Sequence, residues 1–138
     1  MNTFVMTAVS LISGLLSSMN NWVVDKSHVY FHLNDLYMTL LMTGWMMALY
    51  GIFFHPGLDL VFWILMITAS FYAIRSQLFI DEGQFLKGMI PHHSMAILMS
   101  REMKKKTDNP ELIKLLDNII VTQVKEIKQM KQLLDKKN

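Results

Sequence analysis

Hydrophobic and polar positions divide the chain into three long apolar runs followed by two amphipathic ones. The first run, Phe4 to Met19, is diluted by Ser10, Ser13, Ser17 and Ser18, and reaches Val24 only across Asn20 and Asn21. The second, Leu36 to Phe54, holds nineteen residues without a charge. As a helix it spans roughly 28 Å, about the thickness of a bilayer's hydrocarbon core. The third, Leu58 to Ile74, is shorter, and Asp59 near its start belongs at an interface. His55-Pro56-Gly57 has the chemistry of a tight turn, because proline fixes φ and glycine allows it to be positive, so the second and third runs are expected to be antiparallel. The pattern predicts a transmembrane region over residues 1–75, with two or three spans at about 4–24, 36–54 and 58–74.

Between the first two runs, residues 25–35 read as a polar and aromatic connection at the membrane surface, where Trp22, Tyr30 and Tyr37 suit the interface. His28 and His32 would share a face only if this segment were helical, and they read as a surface pair with no ligand. Met38, Met42 and Met46 fall on one helical face and invite a copper ladder. The expectation is instead that they pack between helices together with Gly44, Ala48 and Gly51.

After Arg75, residues 76–84 form a linker, and residues 85–138 have helical periodicity. Phe85, Met89, His92, Ala96, Met99 and Met103 make one stripe, with Leu86, Ile90, His93 and Ile97 beside it. Pro91 must start this helix or kink it. Thr107-Asp108-Asn109-Pro110-Glu111 is a break and restart, with Asp108 or Asn109 as the cap and Pro110 at the first helical position. The second helix is expected to run to about Leu134 and to bury Leu112, Leu116, Ile119, Gln123, Ile127, Met130 and Leu134. The short break predicts an antiparallel hairpin. Met89 then lies near Met130, and His92 and His93 near Gln123, Glu126 and Ile127. The fold class is all-α.

Charge separates the same two parts. Residues 1–84 carry a net −3 and residues 85–138 a net +5. The lysines of the last helix, Lys114, Lys125, Lys128 and Lys131, read as a solvated face. They lack the aromatic platforms that stack bases, so nucleic acid is not an expected partner. The chain has no cysteine, which excludes disulfides and thiolate chemistry, and it has thirteen methionines, either flexible apolar filler or soft thioether donors. No nucleophile stands with a base, and no phosphate loop or haem motif is present, so an enzyme is not expected.

One end of the predicted hairpin gathers two imidazoles, two thioethers, a carboxylate and an amide. Imidazole with thioether suits Cu(I), and imidazole with carboxylate suits Cu(II) or zinc. Adjacent histidines on a helix point about 100° apart, so His92 pairs with Met89 while His93 faces the Leu/Ile side. The alternative is a histidine hydrogen-bonded between packed helices, the commoner use of that residue.

Residues 85–97, Phe-Leu-Lys-Gly-Met-Ile-Pro-His-His-Ser-Met-Ala-Ile, and residues 120–130, Ile-Val-Thr-Gln-Val-Lys-Glu-Ile-Lys-Gln-Met, resemble the ferritin-like family numbered 305 among the domains of unknown function. The motif is Met-Ile-Pro-His-His with a downstream Gln-x-x-Glu-Ile-x-x-Met, and the resemblance covers residues 80–134. Residues 36–42 and 74–77 also look like a membrane-anchored subgroup. The resemblance implies a helical, ferritin-like hairpin and, for some members, copper binding. Carried over residue by residue, it points to Met89, His92, His93, Met99, Gln123, Glu126 and Met130 as metal donors. One hairpin is half of a ferritin-like four-helix bundle, so a second copy, a homo-oligomer, is the expected partner besides the lipid bilayer.

Two functions compete at this point: a membrane-anchored copper protein that sequesters or transfers the ion without catalysis, and a membrane assembly protein whose hairpin only mediates oligomerisation. A di-iron oxidase fits poorly, because only Glu126 accompanies the histidines. Lys26, Arg75 and Lys87 fall on the hairpin's side of three spans, which by the positive-inside rule makes that domain cytoplasmic. Copper-tolerance relatives imply the opposite side.

Overall fold

The computed structural model describes residues 2–55 and 59–136. Among them are five α-helices and no strand: α1 (Thr3–Leu16), α2 (Leu33–Phe54), α3 (Leu60–Ser76), α4 (Glu82–Lys104) and α5 (Pro110–Asp135), with short 3-10 turns at Met19–Trp22 and Lys26–His28. The expected turn at His55-Pro56-Gly57 lies largely outside the described residues. The chain forms two compact units: residues up to Ser18 with Leu33–Ile80, and Met19–His32 with Asp81 onward.

In the first unit α1 packs on α2 and α2 on α3. Small and hydroxyl residues let the backbones approach. A Cβ placed on Gly14 would stand 2.9 Å from Thr39 Cγ2, and one on Gly44 would stand 2.7 Å from Ile67 Cγ1. Ser10, Thr39, Thr43, Gly44, Ala48, Gly51, Ser70 and Ala73 are buried, joined by Met47 and Trp63. Thr39 returns its hydroxyl to the carbonyl of Asp35 (2.8 Å) and Thr68 to that of Ile64 (2.9 Å), so these side chains need no water. Met38, Met42 and Met46 do not pack between the helices as expected. They are 46%, 43% and 52% exposed, and the buried methionine of α2 is Met47. The contact face of α2 is the small-residue row, which a bulky methionine row would hold apart. α3 ends on Gln77, whose φ of 51° is left-handed, with Tyr37 Oη donating to the carbonyl of Leu78 at 2.8 Å.

Two stretches, Thr3–Trp22 and Leu33–Phe54, are long and apolar enough to cross a membrane, and Leu60–Ser76 is a shorter apolar helix. The α-helical part of the first ends at Leu16, well short of Val24. Residues 19–32 leave that helix because their polar groups find other partners. Asn20 accepts from the amide of Tyr30 (3.0 Å) and donates to its carbonyl (2.9 Å), which ties residues 20–30 into a closed loop.

In the second unit, Asp81 caps α4 by accepting from the amide of Gln84 at 2.7 Å, and Asn109 caps α5 by accepting from Glu111 and Leu112 at 3.0 and 3.3 Å. Pro110 sits in the first turn of α5, and α4 continues through Pro91 instead of starting there. The two helices pack along each other around Ile90, Ile97, Ile127, Met130 and Leu134, with Val24, Tyr30, Leu86, Met89 and Ile120 at the margin. The core face of α4 differs from the expected stripe. Ile90, Pro91, Ser94, Ile97 and Ser100 are buried, whereas Phe85, Met99 and Met103 are 50%, 60% and 46% exposed. Both rows satisfy a 3.6-residue period, and the buried one is the row that faces α5 and the 19–32 loop docked on Ser94. On α5, Leu116, Ile127, Met130 and Leu134 are buried, and Lys114, Lys125 and Lys128 are exposed.

Candidate metal centre

α4 presents His92 and His93 in successive positions, and the helical rotation separates them. His93 turns toward α5, its side chain 13% exposed, with Nδ1 3.1 Å from Oε2 of Glu126. The pair is close enough for an ion pair, but the ring nitrogen is not aligned for a hydrogen bond. Burial pushes the His93 imidazole below its ordinary pKa; Glu126 opposes this and His92 adds to it. The shift favours the neutral imidazole, the form that binds a metal. His92 is exposed, its ring centre 6.0 Å from that of His93 and tilted by 59°.

Met130 is buried and Met89 half-buried, both against the Ile90–Ile97–Ile127 cluster. Gln123 and Glu126 are half-buried on α5. Met99 is not brought to the two histidines. It lies seven residues beyond His92, about 10 Å along the helix, and points outward. The middle of the helix pair, not an end of it as expected, thus holds two imidazoles and a carboxylate with the thioethers of Met89 and Met130 in the adjoining cluster, which is chemistry suited to copper in a site of few ligands. Among the described residues no three His, Asp or Glu side chains converge at metal-binding distance. A carboxylate-rich di-iron arrangement does not match that donor set.

The sequence reading missed the loop that covers the other side of α4. Ser94, fully buried, accepts from the amide of Val24 at 2.9 Å, and its hydroxyl lies 2.9 Å from Nδ1 of His28. Lys131 on α5 donates to Ser27 Oγ at 2.7 Å, while Asp25 turns the loop by accepting from the amide of Ser27, also at 2.7 Å. Burial and Lys131 push the His28 imidazole below its usual pKa, against the pull of Asp25. His32 rests on α4 at Gly88: a Cβ there would meet Cε1 and Nδ1 of the imidazole at 3.1 Å. His28 and His32 are thus not a surface pair. The segment is not a continuous helix, and each histidine packs on α4 by itself. The available signal was their place among Asn20, Ser27 and Tyr30, polar side chains able to fold a loop on itself.

A family model described as a domain of unknown function (DUF305) matches residues 72–134. The chain is similar to "Uncharacterized protein L153" of Acanthamoeba polyphaga mimivirus, with 43% identity over 137 residues, covering 96% of this chain and 90% of that protein. No solved structure matches.

Proposed function

The chain belongs to the DUF305 family, and from that premise we propose that it is a membrane-anchored copper-binding protein that sequesters or hands on the ion without catalysing a reaction. The observation that carries this reading is the convergence of His93 with Glu126 across α4 and α5, with His92 beside them and Met89 and Met130 in the adjoining cluster. His92, His93 and Met89 are the first donors. Glu126, 3.1 Å from His93, joins them, and Met130 and Gln123 stand behind. The contacts from His93 to Glu126 and from Lys104 to Asp117 run in opposite order along the two helices, which supports an antiparallel hairpin, half of a ferritin-like bundle. Bound copper would supply a soft Lewis-acid centre. The chain's own contribution would be a largely buried imidazole with a carboxylate 3.1 Å from its Nδ1.

Membrane anchoring is supported by where the apolar surface points. The apolar windows of Thr3–Trp22 and Leu33–Phe54 are only 11% and 33% buried within the protein, whereas a core helix of a water-soluble domain is mostly covered. Lys26, Arg75 and Lys87 then favour a cytoplasmic hairpin.

The contact between His93 and Glu126 also favours a second reading, because it accounts for that imidazole without a metal. Phe85, Met99 and Leu115 remain half-exposed on the helix pair. In this reading the pair mediates assembly with a second copy. One experiment separates the two: copper content, Cu(I) affinity and oligomeric state of the detergent-purified protein beside its His92→Ala/His93→Ala variant. The first reading expects stoichiometric copper, lost in the variant with the oligomer intact. Absence of copper from the wild type leaves assembly.

A further inference from the structure

The 19–32 loop, α4 and α5 together line a cleft of about 530 Å³ to which neither His92 nor His93 contributes. That volume is in the range of pockets that hold a small molecule, roughly 300 to 1,000 Å³. Along α5 the lining residues recur at helical spacing, as Val124, Lys128, Lys131 and Asp135, so the cleft follows one face of that helix for about three turns. Ile97 and Arg101, one turn apart, border it from α4, and Asp25 and His28 border it from the loop.

Two kinds of surface meet there. The apolar part consists of Ile97 and Ile127, 1% and 4% exposed, with Val24 half-buried and Val124 left 50% exposed. The charged part is mainly cationic. Lys131 is engaged already, donating to Ser27 Oγ at 2.7 Å. Arg101 and Lys128 are exposed and form no ion pair among the described residues. The carboxylates on the same two helices are committed elsewhere, Glu102 to Lys105, Asp117 to Lys104 and Glu126 to His93.

The balance of charge selects the ligand. Three fixed cations, Arg101, Lys128 and Lys131, border the cleft with two carboxylates, Asp25 and Asp135. Burial and Lys131 push His28 toward its neutral form, so it adds little to the cationic side. A surplus of one positive charge beside an apolar surface complements a monoanion with an apolar body. A phosphate group carries more than one negative charge near pH 7, and the two carboxylates would oppose the excess.

We propose that this cleft binds a monocarboxylate with an aliphatic chain, its carboxylate held by Arg101 and Lys128 and its chain lying on Ile97, Val124 and Ile127. The planar fork of arginine matches a carboxylate with two parallel hydrogen bonds, and lysine adds a point charge. The site goes beyond the copper reading and shares none of its donors.

The test uses octanoate with the full chain in detergent, binding being read by isothermal titration calorimetry. Octanol, octylammonium and octyl phosphate serve as probes of the same chain length with a different head. The expected result is one octanoate per chain, with octanol and octylammonium at least about 10-fold weaker, the scale of a hydrogen bond to a charged group. Arg101→Ala and Lys128→Ala should each weaken octanoate by about 10-fold and Arg101→Lys by less. Lys114→Ala, an exposed change on α5 outside the cleft, and His92→Ala/His93→Ala should leave it as in the wild type. Equal binding of octanol and octanoate, or wild-type affinity in both Arg101→Ala and Lys128→Ala, overturns the proposal, because the chain then enters apolar surface or detergent without its acid group being read. Octyl phosphate binding more tightly than octanoate overturns it in favour of a phosphate, as on a lipid headgroup. Absence of octanoate binding by the wild type overturns it outright.

Discussion

The two units sort their side chains in opposite senses. Where α1, α2 and α3 meet, the interior is built largely of Ser10, Thr39, Thr43, Gly44, Ala48, Gly51 and Ser70, while Trp45, Ile52, Phe53, Val61, Leu65 and Tyr72 point outward, each more than half exposed. Where α4 and α5 meet, Ile90, Ile97, Leu116, Ile127, Met130 and Leu134 are inside and the lysines outside. The second arrangement is stabilised by removing apolar surface from water. The first holds by close approach of its backbones, the packing that helices use in a lipid-like surrounding. The same residue type consequently has opposite uses. Methionine is inside at Met130 and outside at Met42, and serine is a contact residue at Ser10 and a hydrogen-bond hub at Ser94.

A reciprocal exchange of sizes gives the largest effect. Ile97→Ala, at a site 1% exposed, removes buried methylenes and is expected to lower the stability of the second unit by about 2 to 5 kcal/mol. Gly44→Leu does the reverse in the first unit, forcing a side chain into the 2.7 Å gap to Ile67, at about 1 to 3 kcal/mol or with separation of α2 from α3. Denaturant unfolding in detergent, with a fluorophore reporting on each unit, reads both. If Gly44→Leu were neutral, α2 and α3 would not depend on close approach and the contrast would fail.

Much of this contrast was legible in the sequence. The cap at Asn109 and the buried row of α5 follow from side-chain chemistry within a few residues, where sequence reasoning is strongest. The approach of His93 to Glu126 follows from the short link between the two helices. The face of α4 was not legible, because apolar side chains occupy most of its circumference and two rows about 100° apart share the helical period. The buried row is the one that meets α5 and, through Val24 and His28, the 19–32 loop, partners far from it in sequence. For the same reason His28 and His32 looked like bystanders, since their surroundings are set by a chain reversal that leaves no local pattern.

Acid should separate the two units by a smaller amount. His28 and His93 both have pKa values lowered in the folded chain, chiefly by burial, so the folded state resists a proton that the unfolded chain takes up. Stability is full above the unfolded histidine value of about 6.5 and falls as pH drops below it, until the lowered folded values are passed. The groups that set the size of the effect are Asp25 and Lys131 around His28, with Arg101, Lys128 and Asp135 lining the same cleft, and Glu126 and His92 around His93. The denaturant midpoint of the second unit is expected to drop between pH 7.5 and pH 5, with the slope reduced in His28→Asn and in His93→Gln. α1, α2 and α3 contain no histidine, and the first unit's His55, beyond the end of α2, is replaced by Asn for this measurement, so a midpoint for the first unit that moved in parallel would mean that the two do not unfold separately.

The smallest expected effect is the sharpest test of the comparison. Met38, Met42 and Met46 form a row of thioethers on α2 that looks like a metal ladder in the sequence and is about half exposed in the structure. If that face meets lipid, replacing all three by leucine conserves volume and apolarity on a surface with no protein partner. Stability should change by less than about 0.5 kcal/mol. Copper content should not change, because the proposed donors are in the other unit, on α4 and α5. Metal analysis of the triple variant checks this directly. Loss of copper there would move the site into the apolar unit, and the outward methionines would then be kept for their sulfur and not for their shape.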